Sequence, residues 1–311
     1  MTTNPIIIDC DPGVDDAIAL LLAFASAELD VLGITTVAGN VPLSLTQTNA
    51  RKICELAGRS TMRVYAGCPR PMLRSLETAE YAHGTTGLQG TELPEPTMPL
   101  QAQHGVDFLI ETLMQSDGDI TLATLGPLTN LAIALIKAPQ ITPKIREVVM
   151  MGGAITHGNV TPLAEFNIYV DPHAAQVVFS STLKLTIISL DVTHQVLTTP
   201  DRLEKIRSIG TPVSQAAADL LAFYGSYDIE KYGMPGSPLH DPCVIAYLIQ
   251  PDLFTGREFF VDVETTSDRT IGCTIVDLWQ LTGKSPNVNV IQTVNVEKFY
   301  ELLIDRLSRY V

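Results

Sequence analysis

Basic residues are scarce in this chain of 311 residues: 20 Lys and Arg stand against 34 Asp and Glu, a formal net charge of −14. Neither a coat for nucleic acid nor a lodger on anionic lipid is consistent with that balance, since both need cations to meet phosphate. An anionic substrate would need a local basic site, and no Lys/Arg cluster offers one. Cysteine is sparse too. Cys10, Cys54, Cys68, Cys243 and Cys273 are odd in number, scattered and without a CxxC pair, which suits a reducing compartment. No apolar run approaches the roughly 18–20 residues of a membrane span. The apolar stretch beginning at Pro5 follows no basic segment, so a cytoplasmic protein without a secretory leader is expected. "NVT" at 159–161 has the form of a glycosylation sequon, but without a leader it reads as chance or as another role for Asn159. Nucleotide motifs are missing as well. There is no GxGxxG; the GKS at 283–285 has Leu278 where a P-loop needs Gly, and Pro286 blocks the helix that should follow.

What the chain has in quantity is apolar surface: 46% of residues are hydrophobic and only 17% charged, enough for a sizeable core and too little charge for disorder. Short, continuously apolar runs alternate with amphipathic ones. "PIIID" reads as a strand and Val14–Phe24 as a helix; "VLGITTV" is a strand and 44–56 a helix. "ITLATLG", "REVVMMGG" and "LKLTIISLDV" are further buried strands, with helices after the first two. Such strands, separated by helices, predict an α/β fold with a mostly parallel, doubly wound sheet covered by helices on both faces. From about 200 to 250 helical periodicity dominates. "FFVDVET", "CTIVDLW" and "VNVIQTVNV" then predict a small antiparallel C-terminal addition, before a last helix over 297–309. With no linker, repeat or low-complexity segment, a single domain over 1–311 is expected.

Ligands of open α/β sheets bind beyond the carboxyl ends of the strands. There the chain places Asp9, Asp11, Asp15 and Asp16, within eight residues. Four like charges repel unless something positive sits among them. Helix capping explains one or two of them. An EF-hand fails, because position 12 counted from Asp9 is Leu20 and a strand precedes the motif. A haloacid-dehalogenase-like phosphotransferase would share a strand ending in DxD, but Pro-Gly-Val-Asp-Asp follows where Thr or Val is wanted. An all-oxygen site for a hard cation, Ca²⁺ or Mg²⁺, is the remaining reading.

"DCDPGVDDA" resembles the N-terminal signature of the nucleoside N-ribohydrolases, the inosine-uridine-preferring hydrolase family. "ITTVAGN", "HGTTGL", "LGPLTNLA", "VVMMGGA", "GNVTPLAEFNIYVDP", "LDVTH" and "PLHDPC" resemble its further blocks, in its order and over nearly the whole chain. "AEFNIYVDP", "PLHDPC" and "LTGKSPN" are most similar to the bacterial pyrimidine-preferring members. One departure is Gln89, where members often carry HGxxGLG.

The resemblance implies a nucleoside hydrolase fold and one Ca²⁺ per subunit, held by Asp11, Asp16, Asp241 and the backbone carbonyl of Leu125. Asp11 would also be the base that activates the metal-bound water. Asp15, Asn40, Glu165 and Asn167 would hold the ribose hydroxyls, and Met151 and Asn159 would flank the sugar. His83, Phe166 and His240 would line the base side, with His240 assisting departure of the base and Asp9 bracing the loop. Glu165 and Asn167, two apart, would point the same way if their segment is extended. His104, His157, His173 and His194 read as surface or structural histidines. Tyr227, Asp228 and Tyr232 align with no definite role.

The expected reaction is hydrolysis of the N-glycosidic bond of a small-molecule ribonucleoside, cytidine or uridine, to ribose and free base, in nucleoside salvage. Its oxocarbenium-like transition state suits an acidic pocket. A purine or broad-specificity hydrolase is the alternative. A metal-dependent phosphatase would need a phosphate-binding cation that the strand-end loops lack, and a non-catalytic nucleoside sensor would not need Asp11. No nucleic acid or membrane partner is expected; a homo-oligomer, dimer or tetramer, is.

Overall fold

The computed structural model describes residues 3–311, apart from the side chains of Tyr227, Asp228, Glu230, Lys231 and Tyr232. Three sequence candidates, Tyr227, Asp228 and Tyr232, therefore have side chains outside the described residues.

The N-terminal half alternates strand and helix: β1 (Asn4–Cys10), α1 (Val14–Phe24), β2 (Leu29–Thr36), α2 (Leu43–Leu56), β3 (Val64–Ala66), α3 (Glu80–His83), α4 (Gly105–Gln115), β4 (Ile120–Thr124) and α5 (Thr129–Lys137). β5 (Ile145–Met151), α6 (Phe166–Val170), α7 (Pro172–Phe179), β6 (Leu185–Ile188), α8 (Leu190–Thr193), β7 (Leu197–Thr198), α9 (Pro200–Arg207) and α10 (Pro212–Tyr232) follow. The chain ends with β8 (Ser237–Pro238), α11 (Pro242–Ile249), β9 (Phe254–Phe259), β10 (Val261–Val263), β11 (Thr274–Val276), β12 (Val288–Val294) and α12 (Val296–Leu307).

Eight strands form one sheet in the order β3-β2-β1-β4-β5-β6-β12-β9. All neighbours are parallel except β12 and β9. The apolar runs behave as a doubly covered sheet requires. In β1, Ile6 and Ile8 join the core under α1, α10, α11 and α12, while Ile7 joins the core under α4, α5 and α7, as the two-residue strand period dictates.

The C-terminal expectation needs one correction. "VNVIQTVNV" does not belong to a separate antiparallel piece: β12 enters the main sheet, parallel to β6 on one side and antiparallel to β9 on the other, with Val288, Val290 and Ile291 buried. Antiparallel pairing is confined to β9 at the edge, the β10–β11 ribbon and the short β7–β8 pair. No helix among the described residues is long and apolar enough to cross a membrane.

The strand order reverses at β1, which lies between β2 and β4. That reversal opens a crevice beyond the carboxyl ends of β1 and β4, the place where such sheets take ligands.

Candidate active site

Leaving β1, the chain turns through Asp11, Pro12 and Gly13 into α1. Asp16 closes that turn: its Oδ1 accepts from the Asp11 amide at 3.2 Å and its Oδ2 from the Gly13 amide at 2.9 Å. The carboxylate thus caps the helix and meets its positive end. Asn40, in the loop after β2, donates its backbone N–H to Asp11 Oδ2 at 2.7 Å and its side-chain amide to Asp16 Oδ2 at 3.1 Å. Asp11 Oδ1 is buried with no hydrogen-bond partner among the described residues. Two glycines allow this packing. A Cβ on Gly39 would stand 2.0 Å from Asp11 Oδ2, and one on Gly126 would stand 2.2 Å from Oδ1.

Asp241, at the N-terminus of α11, completes the group. Carboxylate oxygens of Asp15, Asp16 and Asp241 lie within 4.8 Å of one another. The trio includes Asp15, which the resemblance assigns to the ribose, with Asp11 beside it. Burial, and then the charge of Asp16, hold the Asp11 carboxyl well above its usual range and push Asp15 up to about 8. Asp241 is raised well above its usual range by burial and then by Asp15, Asp16 and Asp11. These carboxyls cannot all ionise without a counter-charge. An all-oxygen donor set with an unpartnered buried oxygen fits a hard divalent cation. Asp9 turns aside: its Oδ1 accepts from the Thr35 hydroxyl at 2.5 Å and the Asn130 amide at 2.7 Å, tying the ends of β1 and β2 to the start of α5.

The opposite wall comes from the loop after β5. Glu165 is the N-cap of α6, accepting from the amides of Asn167 at 2.8 Å and Ile168 at 3.1 Å, and it also accepts from the Gly153 amide at 2.9 Å. The segment is therefore not extended. Glu165 and Asn167 share a wall because Asn167 lies in the first turn of the helix that Glu165 caps. Asn167 donates its side-chain amide to the carbonyls of Leu125 at 2.7 Å and Met151 at 3.1 Å, joining the ends of β4 and β5. Asn159 Oδ1 accepts from the Phe166 amide at 3.0 Å, which is the local purpose of the residue in the sequon.

Two imidazoles face this wall. His83 Nδ1 accepts from the Val14 amide at 3.0 Å, so the ring packs on the start of α1, and burial lowers its pKa to about 3. His240 Nδ1 lies 2.7 Å from the Thr193 hydroxyl. Burial, then His194 and His83, hold His240 well below the usual imidazole range. Burial thus disfavours the charged form of both rings.

Together these groups enclose a cavity of about 300 Å³. Of the residues expected at the site, Asp15, Asn40, His83 and Leu125 line it on one side, and Met151, Asn159, Glu165, Phe166 and Asn167 on another. His240 and Asp241 close it, while Asp11 and Asp16, both fully buried, lie behind the lining. Sequence reasoning missed Tyr81, Tyr224, Met234 and Pro238, which also line the cavity, and took the lining residue His194 as structural. Tyr224 packs its ring 5.1 Å from that of His83. Nothing local distinguishes it from the other buried residues of α10.

A family model described as inosine-uridine preferring nucleoside hydrolase matches residues 6–301. An uncharacterised protein of Schizosaccharomyces pombe is 47% identical, over 98% of this chain and 99% of its own. The pyrimidine-specific ribonucleoside hydrolase RihA of Shewanella sp. strain ANA-3 is 46% identical, over 99% of this chain and 97% of its own. Among solved structures, the purine-preferring ribonucleoside hydrolase from Gardnerella vaginalis superposes with a TM-score of 0.93 at 33% identity, over 98% of each chain. The chain belongs to the inosine-uridine preferring nucleoside hydrolase family and is a glycosidase that hydrolyses ribonucleosides.

Proposed function

We propose that the protein hydrolyses pyrimidine ribonucleosides, cytidine or uridine, to ribose and the free base, with Ca²⁺ held by Asp11, Asp16, Asp241 and the carbonyl of Leu125. The observation that carries this is the unpartnered Asp11 Oδ1 inside a group of buried carboxylates at the mouth of the sheet crevice. When bound, the cation would neutralise those carboxylates, hold the 2′ and 3′ oxygens of the ribose and acidify the attacking water.

Asp11 Oδ1 would take the proton of an attacking water, while the Asn40 amide holds Oδ2 and so fixes the direction of the lone pairs. Positive charge developing on the sugar meets Asp15 in the cavity wall. Glu165 spends its oxygens on three backbone amides, so its part is to hold the wall in shape, and Asn167 keeps the Leu125 carbonyl in place. On the far side His83 carries its ring proton on Nε2, since Nδ1 accepts from Val14. His240 assists departure of the base as a neutral donor.

Pyrimidine preference is supported by the 46% identity to proteins named as pyrimidine-specific, against 33% for the purine-preferring one. A cavity of about 300 Å³ is at the small end of ligand pockets. The test is a reducing-sugar assay over cytidine, uridine, inosine, guanosine and adenosine, with and without chelator. Cytidine and uridine should lead, chelator should abolish turnover and Ca²⁺ should restore it. Full activity in a verified metal-free preparation would overturn the cation, and faster turnover of inosine would overturn the base preference.

A further inference from the structure

Thr193 ends α8, is fully buried, and places its hydroxyl 2.7 Å from His240 Nδ1. An imidazole that accepts a hydrogen bond on one ring nitrogen carries its N–H on the other, so the partner of one nitrogen decides where the proton sits. We propose that Thr193 is a positioning residue whose hydroxyl donates to Nδ1 of His240, holding the proton on Nε2 at the cavity side, where it meets the departing base.

The direction of this hydrogen bond follows from burial. A buried hydroxyl must place its hydrogen on an acceptor. Among the described residues the Thr193 hydroxyl has one hydrogen-bond partner, Nδ1 of His240. The reverse arrangement, with Nδ1–H donating to Thr193, would strand the hydroxyl hydrogen. His83 shows the same wiring with no ambiguity, because a backbone N–H can only donate: Val14 gives its proton to Nδ1 and leaves the ring proton on Nε2. The adjacent His194 sets its ring 5.8 Å from that of His240, tilted by 54°, and restricts how that ring can turn. The end of α8 therefore controls both the tautomer and the plane of His240.

The chemistry makes the tautomer matter. As the bond from C1′ to the base nitrogen breaks, its electron pair passes to the base, and the charge spreads onto the carbonyl oxygens of a pyrimidine. An N–H aimed at that side stabilises the departing anion; a bare nitrogen lone pair would repel it.

The inference rests on the assignment of His240 to the leaving base. Thr193→Val keeps the branched shape and removes the hydroxyl; Thr193→Ser keeps the hydroxyl. Thr193→Val should lower kcat for uridine roughly 10–100-fold, the usual scale for losing an orienting partner, with KM near wild type. p-Nitrophenyl riboside, whose leaving group needs no such help, should barely respond, and Thr193→Ser should retain most activity. Thr193→Val added to His240→Ala should cost nothing beyond His240→Ala alone. Nitrogen-15 NMR of histidine-labelled wild-type protein reads the tautomer directly and does not depend on the variant folding. It should show His240 protonated on Nε2.

An Nδ1–H tautomer in the wild type overturns the proposal. So does equal damage to both substrates by Thr193→Val, or a full additional loss in the double variant. If His240→Ala slows uridine and Thr193→Val does not, the role of Thr193 falls alone. If His240→Ala leaves uridine unaffected, the assignment of His240 falls first and Thr193 with it.

Discussion

At Asp11 the two carboxylate oxygens have different surroundings: Oδ2 accepts from the Asn40 amide, and Oδ1 has no hydrogen-bond partner among the described residues. Asp11→Asn keeps the shape and removes the base. It should lower kcat on the order of 10²–10⁴-fold, for uridine and p-nitrophenyl riboside alike, because attack by water serves both. Steady-state rates on the two substrates check this, and selective damage to uridine would point to the leaving group instead. Gly126→Ala offers a second probe. Its Cβ would stand 2.2 Å from Asp11 Oδ1, so the carboxylate must move. A displacement of about 1 Å in a reacting group costs roughly 10²-fold in rate. The expected result is a large fall in kcat in a protein whose circular dichroism is unchanged; near-normal kcat would mean that Asp11 has room to spare. The crowding of carboxylates around Asp11 was legible in the sequence, since four of them follow one buried strand within eight residues. The pressure from Gly39 and Gly126 was not, because it depends on loops after β2 and β4 meeting across β1.

Among the elements, short α6 carries the most consequence for its five residues. Glu165 caps it and also accepts from Gly153, so one carboxylate ties the start of the helix to the end of β5. Glu165→Ala would leave three buried amides short of an acceptor and should destabilise the protein by about 1–2 kcal/mol, the upper range for loss of a cap. A lowered Tm with a raised KM for nucleoside is the expected pair of readouts, since the Leu125 carbonyl depends on Asn167 in that first turn. An unchanged Tm would show that water replaces the cap. The sequence pointed to Glu165 and Asn167 as a pair through their two-residue spacing, but the extended segment that this spacing would require ends at Glu165, where α6 begins. The capping bonds to Asn167 and Ile168 wind the segment into a helix, and only the burial of Phe166 and Ile168 against neighbouring elements makes that turn favourable.

For the whole molecule, the acidic centre makes stability depend on pH in a direction opposite to ordinary surface carboxylates. In the ion-stripped protein burial raises Asp15 to about 8, Glu165 to about 7 and Asp9 to about 6. Unfolded carboxyls titrate near about 4. Between those values the folded chain binds more protons than the unfolded one, so this contribution is complete below about pH 4 and is lost as pH rises through about 8. Chelator-treated protein should therefore show a Tm that falls steadily from pH 5 to pH 8.5. Saturating Ca²⁺ should flatten that fall, and the gap between the two curves should be widest at the alkaline end. Parallel curves in calorimetry would mean that the ion does not sit among these groups. Binding at the same centre should also select the sugar. A site that pairs with the 2′ and 3′ hydroxyls leaves polar groups unmet by a deoxy sugar, so discrimination on the order of 10⁴-fold against deoxyuridine is expected, measured as kcat/KM.

The sequence by itself determined the parallel sheet and the acidic strand end. Continuous apolar runs are stable only when buried on both faces, and β4 throughout and β1 from Ile6 onward are buried for that reason. Motif blocks in order pointed to the family, because they are short-range signals attached to strand ends. Other features were decided only by tertiary structure. β12 pairs parallel with β6 on one side and antiparallel with β9 on the other, since pairing partner and direction depend on where the chain returns to the sheet. Asp15 joins Asp16 and Asp241 across more than two hundred residues because α1 and α11 begin at the same corner of the crevice. Thr193 reaches His240, and Tyr224 reaches His83, for the same physical reason: each pair is set by the packing of whole helices over the sheet, and no periodicity within either segment encodes it.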